Sequence, residues 1–157
     1  MAIEVYVDGA ARGNPGPAGI GIVIKDGSRV LGEIGAYIGK TTNNIAEYLA
    51  LIRGLEEVLV RGFRSASFFS DSELLVKQLN GEYKVKHENL VPLHYHILTL
   101  IDRMKDFSIK HVTRDKNAHA DKMANEGIDL HDQTAPLFSP KACQRQAGGS
   151  AYGGKTI

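Results

Sequence analysis

The sequence predicts an α/β fold: a mixed five-stranded sheet, with three antiparallel strands and two more added in parallel, flanked by helices. Two observations carry this. Three strand-like stretches, residues 3–8, 20–25 and 30–38, open the chain one after another with turn signals between them. Two later strands, residues 66–70 and 107–112, are each reached through helical stretches, the kind of connection that parallel pairing needs.

The elements follow in order. In the first strand Val5 and Val7 alternate with Tyr6 and Asp8, and a Gly/Pro-rich turn follows, for which turn geometry is the expected role of Gly13, Gly16 and Gly19. Asp26-Gly27 joins the second strand to the third as a tight hairpin. Thr41, Thr42, Asn43 and Asn44 begin a helix, their side chains able to cap its first free N–H groups. That helix runs to about Arg61 with Ile45, Leu49, Ile52 or Leu51, Leu55 and Leu59 inward, and Gly62 stops it. After the strand with Phe68 and Phe69, Asp71-Ser72 opens a helix over 73–79, closed by Asn80-Gly81. Residues 82–88 form a polar, basic connection. Asn89 is expected to cap a third helix, with Pro92 tolerated in its first turn and Leu93, Ile97, Leu100, Ile101 and Met104 inward. Asn117 is expected to cap a last helix that ends near Ile128.

Length points to one compact domain, placed at residues 1–130. Residues 131–157 are rich in Gln, Ser, Pro, Ala and Gly without apolar period, which predicts a flexible tail; docking through Leu137 and Phe138 is the alternative. No apolar run reaches membrane-span length, and the N-terminus enters a strand with no basic-then-apolar leader. The single Cys143 excludes an internal disulfide framework and fits a reducing compartment, so a cytoplasmic protein without membrane contact is expected. The formal net charge of +1 gives no general pull on nucleic acid, so any phosphate binding must come from a local patch or from metal ions.

Four acids occupy matching ends of elements. Asp8 sits in the first strand, Asp71 at the exit of the fourth, and Glu47 and Asp121 near the starts of helices. Ligand sites in α/β sheets gather beyond the carboxyl ends of strands. Two carboxylates about 4 Å apart repel by about 4 kcal/mol at an effective dielectric near 20. Two divalent cations would neutralise four such charges, and an all-oxygen set suits Mg²⁺ or Mn²⁺ rather than Zn²⁺. Taken singly, each acid also reads as a cap or dipole partner; Asp8 resists that reading, because it stands in an apolar strand.

Four ordered blocks then resemble the type 1 ribonuclease H family, over about residues 1–130. They are Asp8-Gly-Ala with Gly13-Asn-Pro-Gly16; Thr42-Asn-Asn-Ile-Ala-Glu47; Ser70-Asp-Ser72 with Leu79-Asn-Gly-Glu-Tyr-Lys-Val-Lys86; and Asn117-Ala-His-Ala-Asp121 with Ala124-Asn125. The resemblance implies a ribonuclease H-like fold and two-metal cleavage of the RNA strand of an RNA–DNA hybrid, leaving 3′-hydroxyl and 5′-phosphate ends. It puts the metal-binding carboxylates on Asp8, Glu47, Asp71 and Asp121, with Glu47 nearer the leaving group and Asp121 nearer the water. It also implies that Asn14, Asn43, Asn44 and the Gly9 backbone meet the minor groove and its 2′-hydroxyls, and that Thr42 meets a DNA phosphate. Helix capping is the other reading of Asn43 and Asn44. A monomer is expected.

The chain also departs from the pattern. Relatives often carry a His in a loop before the last Asp; here Arg114 occupies that region as a candidate phosphate contact, and His119 is expected to face outward. The Trp-rich basic protrusion of some members is missing, which resembles the compact archaeal and bacterial members. Lys84 and Lys86 are its nearest substitute, and Glu73 stands where Gln is frequent. His94, His96 and His111 are assigned surface or packing roles. Two other classes stay open: a binding module that has lost its chemistry, and a nuclease of the same superfamily acting on double-stranded RNA or DNA.

Overall fold

The structure, a computed structural model, describes residues 2–134. It contains β1 (Ile3–Ala11), β2 (Gly16–Asp26), β3 (Arg29–Thr41), α1 (Asn43–Val60), β4 (Ser65–Ser70), α2 (Glu73–Leu79), α3 (Val91–Ile101), β5 (Asp106–His111), a 3₁₀ turn (Arg114–Asn117) and α4 (Ala118–Thr134). The sheet order is β3-β2-β1-β4-β5. β1–β2 and β2–β3 pair antiparallel, β1–β4 and β4–β5 parallel, as the succession of elements predicts. The first strand begins at Ile3 as predicted, but all three run on past their predicted limits around the Gly/Pro segment, which continues the ladders to Ala11↔Ala18 and Gly16↔Thr41.

The main core lies between the sheet and α1, where Val5, Val7, Ile22, Ile24, Phe68, Tyr48, Leu51, Leu55 and Val58 are buried. Of the predicted face of α1, Leu51, Ile52 and Leu55 are buried as expected, and the rest is corrected by this packing. Tyr48, Leu51, Leu55 and Val58 face inward, and Ile45, Leu49 and Leu59 are only partly buried. Apolar residues surround most of this helix, so its period alone does not select one face. On the other side of the sheet α4 lies close against β2. A Cβ on Gly21 would come within 2.0 Å of the Ala120 carbonyl oxygen, and one on Gly19 within 2.4 Å of the Ala124 carbonyl oxygen. Gly19 is therefore a contact point for α4 and not a turn residue; Gly13, with φ +100°, is the turn residue.

Two predicted caps also change. Leu90, not Asn89, precedes α3, and it caps without a side-chain bond. Asn117 ends the 3₁₀ turn as a buried residue whose amide works elsewhere. α4 continues past Ile128 to Thr134, supported by a stack of Tyr37 on His131 with centroids 3.7 Å apart. Leu137, Phe138, Cys143 and the rest of the predicted tail from residue 135 lie outside the described residues. Among the described residues no helix is long and apolar enough to cross a membrane.

Candidate active site

β1 and β4 are parallel neighbours whose last registered pair is Val7↔Ser70. The next residues are Asp8 and Asp71, so the sheet itself sets these two acids side by side at its carboxyl edge. Glu47 reaches them from α1, just past its first turn. Its approach depends on Gly9, whose N–H donates to Glu47 Oε1 at 2.8 Å. A Cβ on Gly9 would stand 2.2 Å from the Ala46 carbonyl carbon, so only glycine allows β1 and α1 this close.

Asp8, Glu47 and Asp71 each offer an oxygen within 4.8 Å of the others. Asp121, in the first turn of α4, completes the wall of the same cleft, and Asn125 Nδ2 donates to its Oδ1 at 3.3 Å. The cleft measures about 530 Å³ and is also lined by Gly9, Asn43, Asn44, Ser72 and Arg114.

The electrostatics match this crowding. Asp8 is 4% exposed, and its pKa is pushed up to about 9, first by burial and then by the charges of Glu47 and Asp71. Glu47 is raised to about 8, mainly by burial; the Gly9 N–H and the Arg114 charge oppose the rise, and Asp71 adds to it. Converging carboxyl oxygens that repel one another are a donor set for hard divalent cations, and these residues fit one.

The remaining predicted residues fall into two groups. Thr42 caps α1, its Oγ1 accepting from the Ile45 N–H at 3.3 Å. The Asn43 N–H donates to Asn14 Oδ1 at 3.1 Å, and Asn43 Oδ1 accepts from the Ala11 N–H at 2.9 Å. Asn14, Thr42 and Asn44 line a second small cleft beside the acids. The Gly9 N–H is engaged by Glu47, and Gly9 itself lines the main cleft. Glu73, Lys84 and Lys86 line neither cleft. Glu73 pairs with Lys77 at 3.1 Å. His119 faces away and pairs with Glu33 on β3. His96 lies 3.9 Å from Glu56, and His111 is exposed.

Two residues of the site escape sequence reasoning. Asn117 Nδ2 donates to the Val7 carbonyl at 3.0 Å and to Asp71 Oδ2 at 3.2 Å, tying the 3₁₀ turn to the end of β1 and orienting Asp71. Its position before an apolar-periodic run is indistinguishable from a cap. His87 joins Asn14, Thr42 and Asn44 in the second cleft, although it belongs to a connection that reads only as polar and basic.

Known proteins give the same picture. A family described as Reverse transcriptase-like matches residues 6–127. The chain is 41% identical over 128 residues to ribonuclease HI of Halobacterium salinarum, covering 81% of this chain and 64% of that one. A bifunctional protein of Mycobacterium tuberculosis is 40% identical over 86% of the chain, which spans only 38% of that relative's length. Among solved structures, the Halobacterium salinarum ribonuclease H1 superposes with TM-score 0.79 at 41% identity, covering 82% of this chain and 98% of that one. A compost-derived ribonuclease H1 solved with an RNA/DNA hybrid gives 0.78 at 46%, covering 82% and 97%. With the family match over most of its length, and solved relatives that it covers almost end to end, the chain belongs to the type 1 ribonuclease H family.

Proposed function

We propose that the chain is a metal-dependent endoribonuclease that hydrolyses the RNA strand of RNA–DNA hybrids and leaves 3′-hydroxyl and 5′-phosphate ends. The observation that carries the reading is the convergence of Asp8, Glu47 and Asp71 at the ends of two parallel strands, with Asp121 on the same cleft. Membership of the family and a relative solved with an RNA/DNA hybrid support the choice of substrate.

The four carboxylates would hold two Mg²⁺ or Mn²⁺ ions together with substrate. Bound there, such ions supply a more acidic attacking water and charge stabilisation at the leaving 3′-oxygen. The protein's own groups do the rest. The Gly9 N–H fixes the Glu47 carboxylate, and Asn117 fixes Asp71. Arg114, on the wall of the cleft, brings positive charge to the scissile phosphate. With Oδ1 engaged by Ala11, Asn43 can present its Nδ2 donors to a 2′-hydroxyl, and Asn14 and Asn44 border the same groove. Thr42 and its neighbours at the start of α1 suit a phosphate of the DNA strand. Lys84 and Lys86 contribute longer-range attraction from the adjoining connection, and Glu73 opposes it slightly. The unit acts as a monomer in a cytoplasmic, Mg²⁺-containing compartment.

The test is cleavage of an end-labelled RNA–DNA hybrid beside single-stranded RNA, duplex RNA and duplex DNA, with Mg²⁺, Mn²⁺ or EDTA. Cutting confined to the RNA strand of the hybrid, and abolished by EDTA, is expected. Cutting of duplex RNA or DNA at equal rate would overturn the substrate, and binding without cutting would overturn the enzyme.

A further inference from the structure

The connection between α2 and α3 is more tightly held than its composition suggests. Its beginning is pinned to α2: the Glu82 and Tyr83 N–H groups donate to the Lys77 carbonyl at 2.8 and 3.2 Å, and Lys77 lies over the Tyr83 ring at 5.0 Å. Its end is pinned to α3, where the Leu90 and Val91 N–H groups donate to the His87 carbonyl at 2.9 and 3.1 Å. Its middle is held from within the core. Gln78, 7% exposed on α2, donates from Nε2 to the Lys84 carbonyl at 3.4 Å. The orientation of that amide is set by Tyr48 of α1, 1% exposed, whose hydroxyl donates to Gln78 Oε1. Val85 packs half-buried on the same core.

Tyr48 is the residue after Glu47. The helix that supplies an acid to the cleft therefore also governs, through one buried amide, the backbone of the connection that brings His87 to the cleft of Asn14, Thr42 and Asn44. A chain that only needed stability would fill this space with apolar side chains, since buried polar pairs give little net gain. The pair makes a specific connection between two parts of the molecule.

We propose that Tyr48 and Gln78 are positioning residues for nucleic-acid affinity: their buried hydrogen-bonded relay holds the connection at the Lys84 carbonyl so that His87 stays on the cleft of Asn14, Thr42 and Asn44, where the hybrid would lie. The inference rests on the hybrid-cleaving reading above. Neither residue touches substrate; both act on His87 through the backbone at Lys84.

The test uses Tyr48→Phe, Gln78→Met and the double variant. Hybrid binding is measured by fluorescence anisotropy with a labelled RNA–DNA hybrid in an Asp8→Asn background, and steady-state cleavage in the otherwise native chain. Tyr48→Phe leaves a buried acceptor unpaired and lowers Tm. The double variant removes both partners and recovers most of that loss. Affinity should behave differently: Kd and KM rise about three- to tenfold in all three variants, with kcat and the Mg²⁺ midpoint unchanged. An affinity that recovers together with Tm in the double variant, or does not change at all, would overturn the positioning role. An Asp8→Asn chain that binds no hybrid would instead remove the functional reading itself, a failure seen before any variant of the relay is compared.

Discussion

At Asp8 burial and like charge act in the same direction, and together they bias the metal-free protein toward a protonated site. A carboxyl whose folded pKa lies above its unfolded value contributes stability that is complete below the unfolded pKa and is lost as pH rises toward the folded one. For Asp8 that window runs from near 4 to about 9, and for Glu47 to about 8. The metal-free protein should therefore lose Tm between pH 5 and pH 9, and millimolar Mg²⁺ should raise Tm and flatten the dependence; differential scanning fluorimetry across pH checks both. Binding of Mg²⁺ at pH 7 should release protons, since carboxylates must ionise to ligate, and the release should vanish above about pH 9. Calorimetry in buffers of different ionisation enthalpy measures it. Asp8→Asn removes the charge conflict: it should raise the metal-free Tm at pH 8 by about 3–8 °C, while cleavage falls at least about a thousandfold. The importance of Asp8 is legible in the sequence because an acid in an apolar strand contradicts its surroundings. Asn117 is not legible, because its partners, Val7 and Asp71, are distant in sequence. Asn117→Ala should cost about 1–3 kcal/mol in urea. It should also weaken Mg²⁺ binding in a titration while leaving the KM for hybrid unchanged, as expected of a residue that acts through Asp71.

Elements determine the site by how closely they pack. β1 meets α1 at Gly9, and the bond from Gly9 to Glu47 depends on that approach. Gly9→Ala should destabilise the fold by about 2–3 kcal/mol and abolish metal-induced stabilisation, measured by urea unfolding with and without Mg²⁺. A glycine after an acid reads as a turn in the sequence, and only the packed helix reveals the contact. The same limit applies to α1, whose surrounding apolar residues specify a buried helix without specifying its rotation. By contrast α2 is recovered from its Ser72 cap and its Asn80-Gly81 end, because those signals are local: Ser72 Oγ accepts from the Leu75 N–H at 3.3 Å.

Over the whole molecule, strand succession predicts the mixed sheet correctly, since antiparallel hairpins and helical crossovers leave few other topologies. The end of α4 is missed, because the residues after Ile128 are mostly polar and their support, the Tyr37–His131 stack, comes from β3. A chain ending after Ile128 should therefore melt several degrees below one ending after Thr134, as read by circular dichroism. The order of assembly carries one more consequence. β1 is the first strand made and stands at the centre of the sheet, yet its parallel neighbour β4 is synthesised only after β2, β3 and α1. Asp121 follows later still, on α4. On a ribosome the acids must wait for one another, because a central strand without its neighbour has no ladder to join. A growing chain holds no complete set of the four acids until nearly all of the folded unit has emerged.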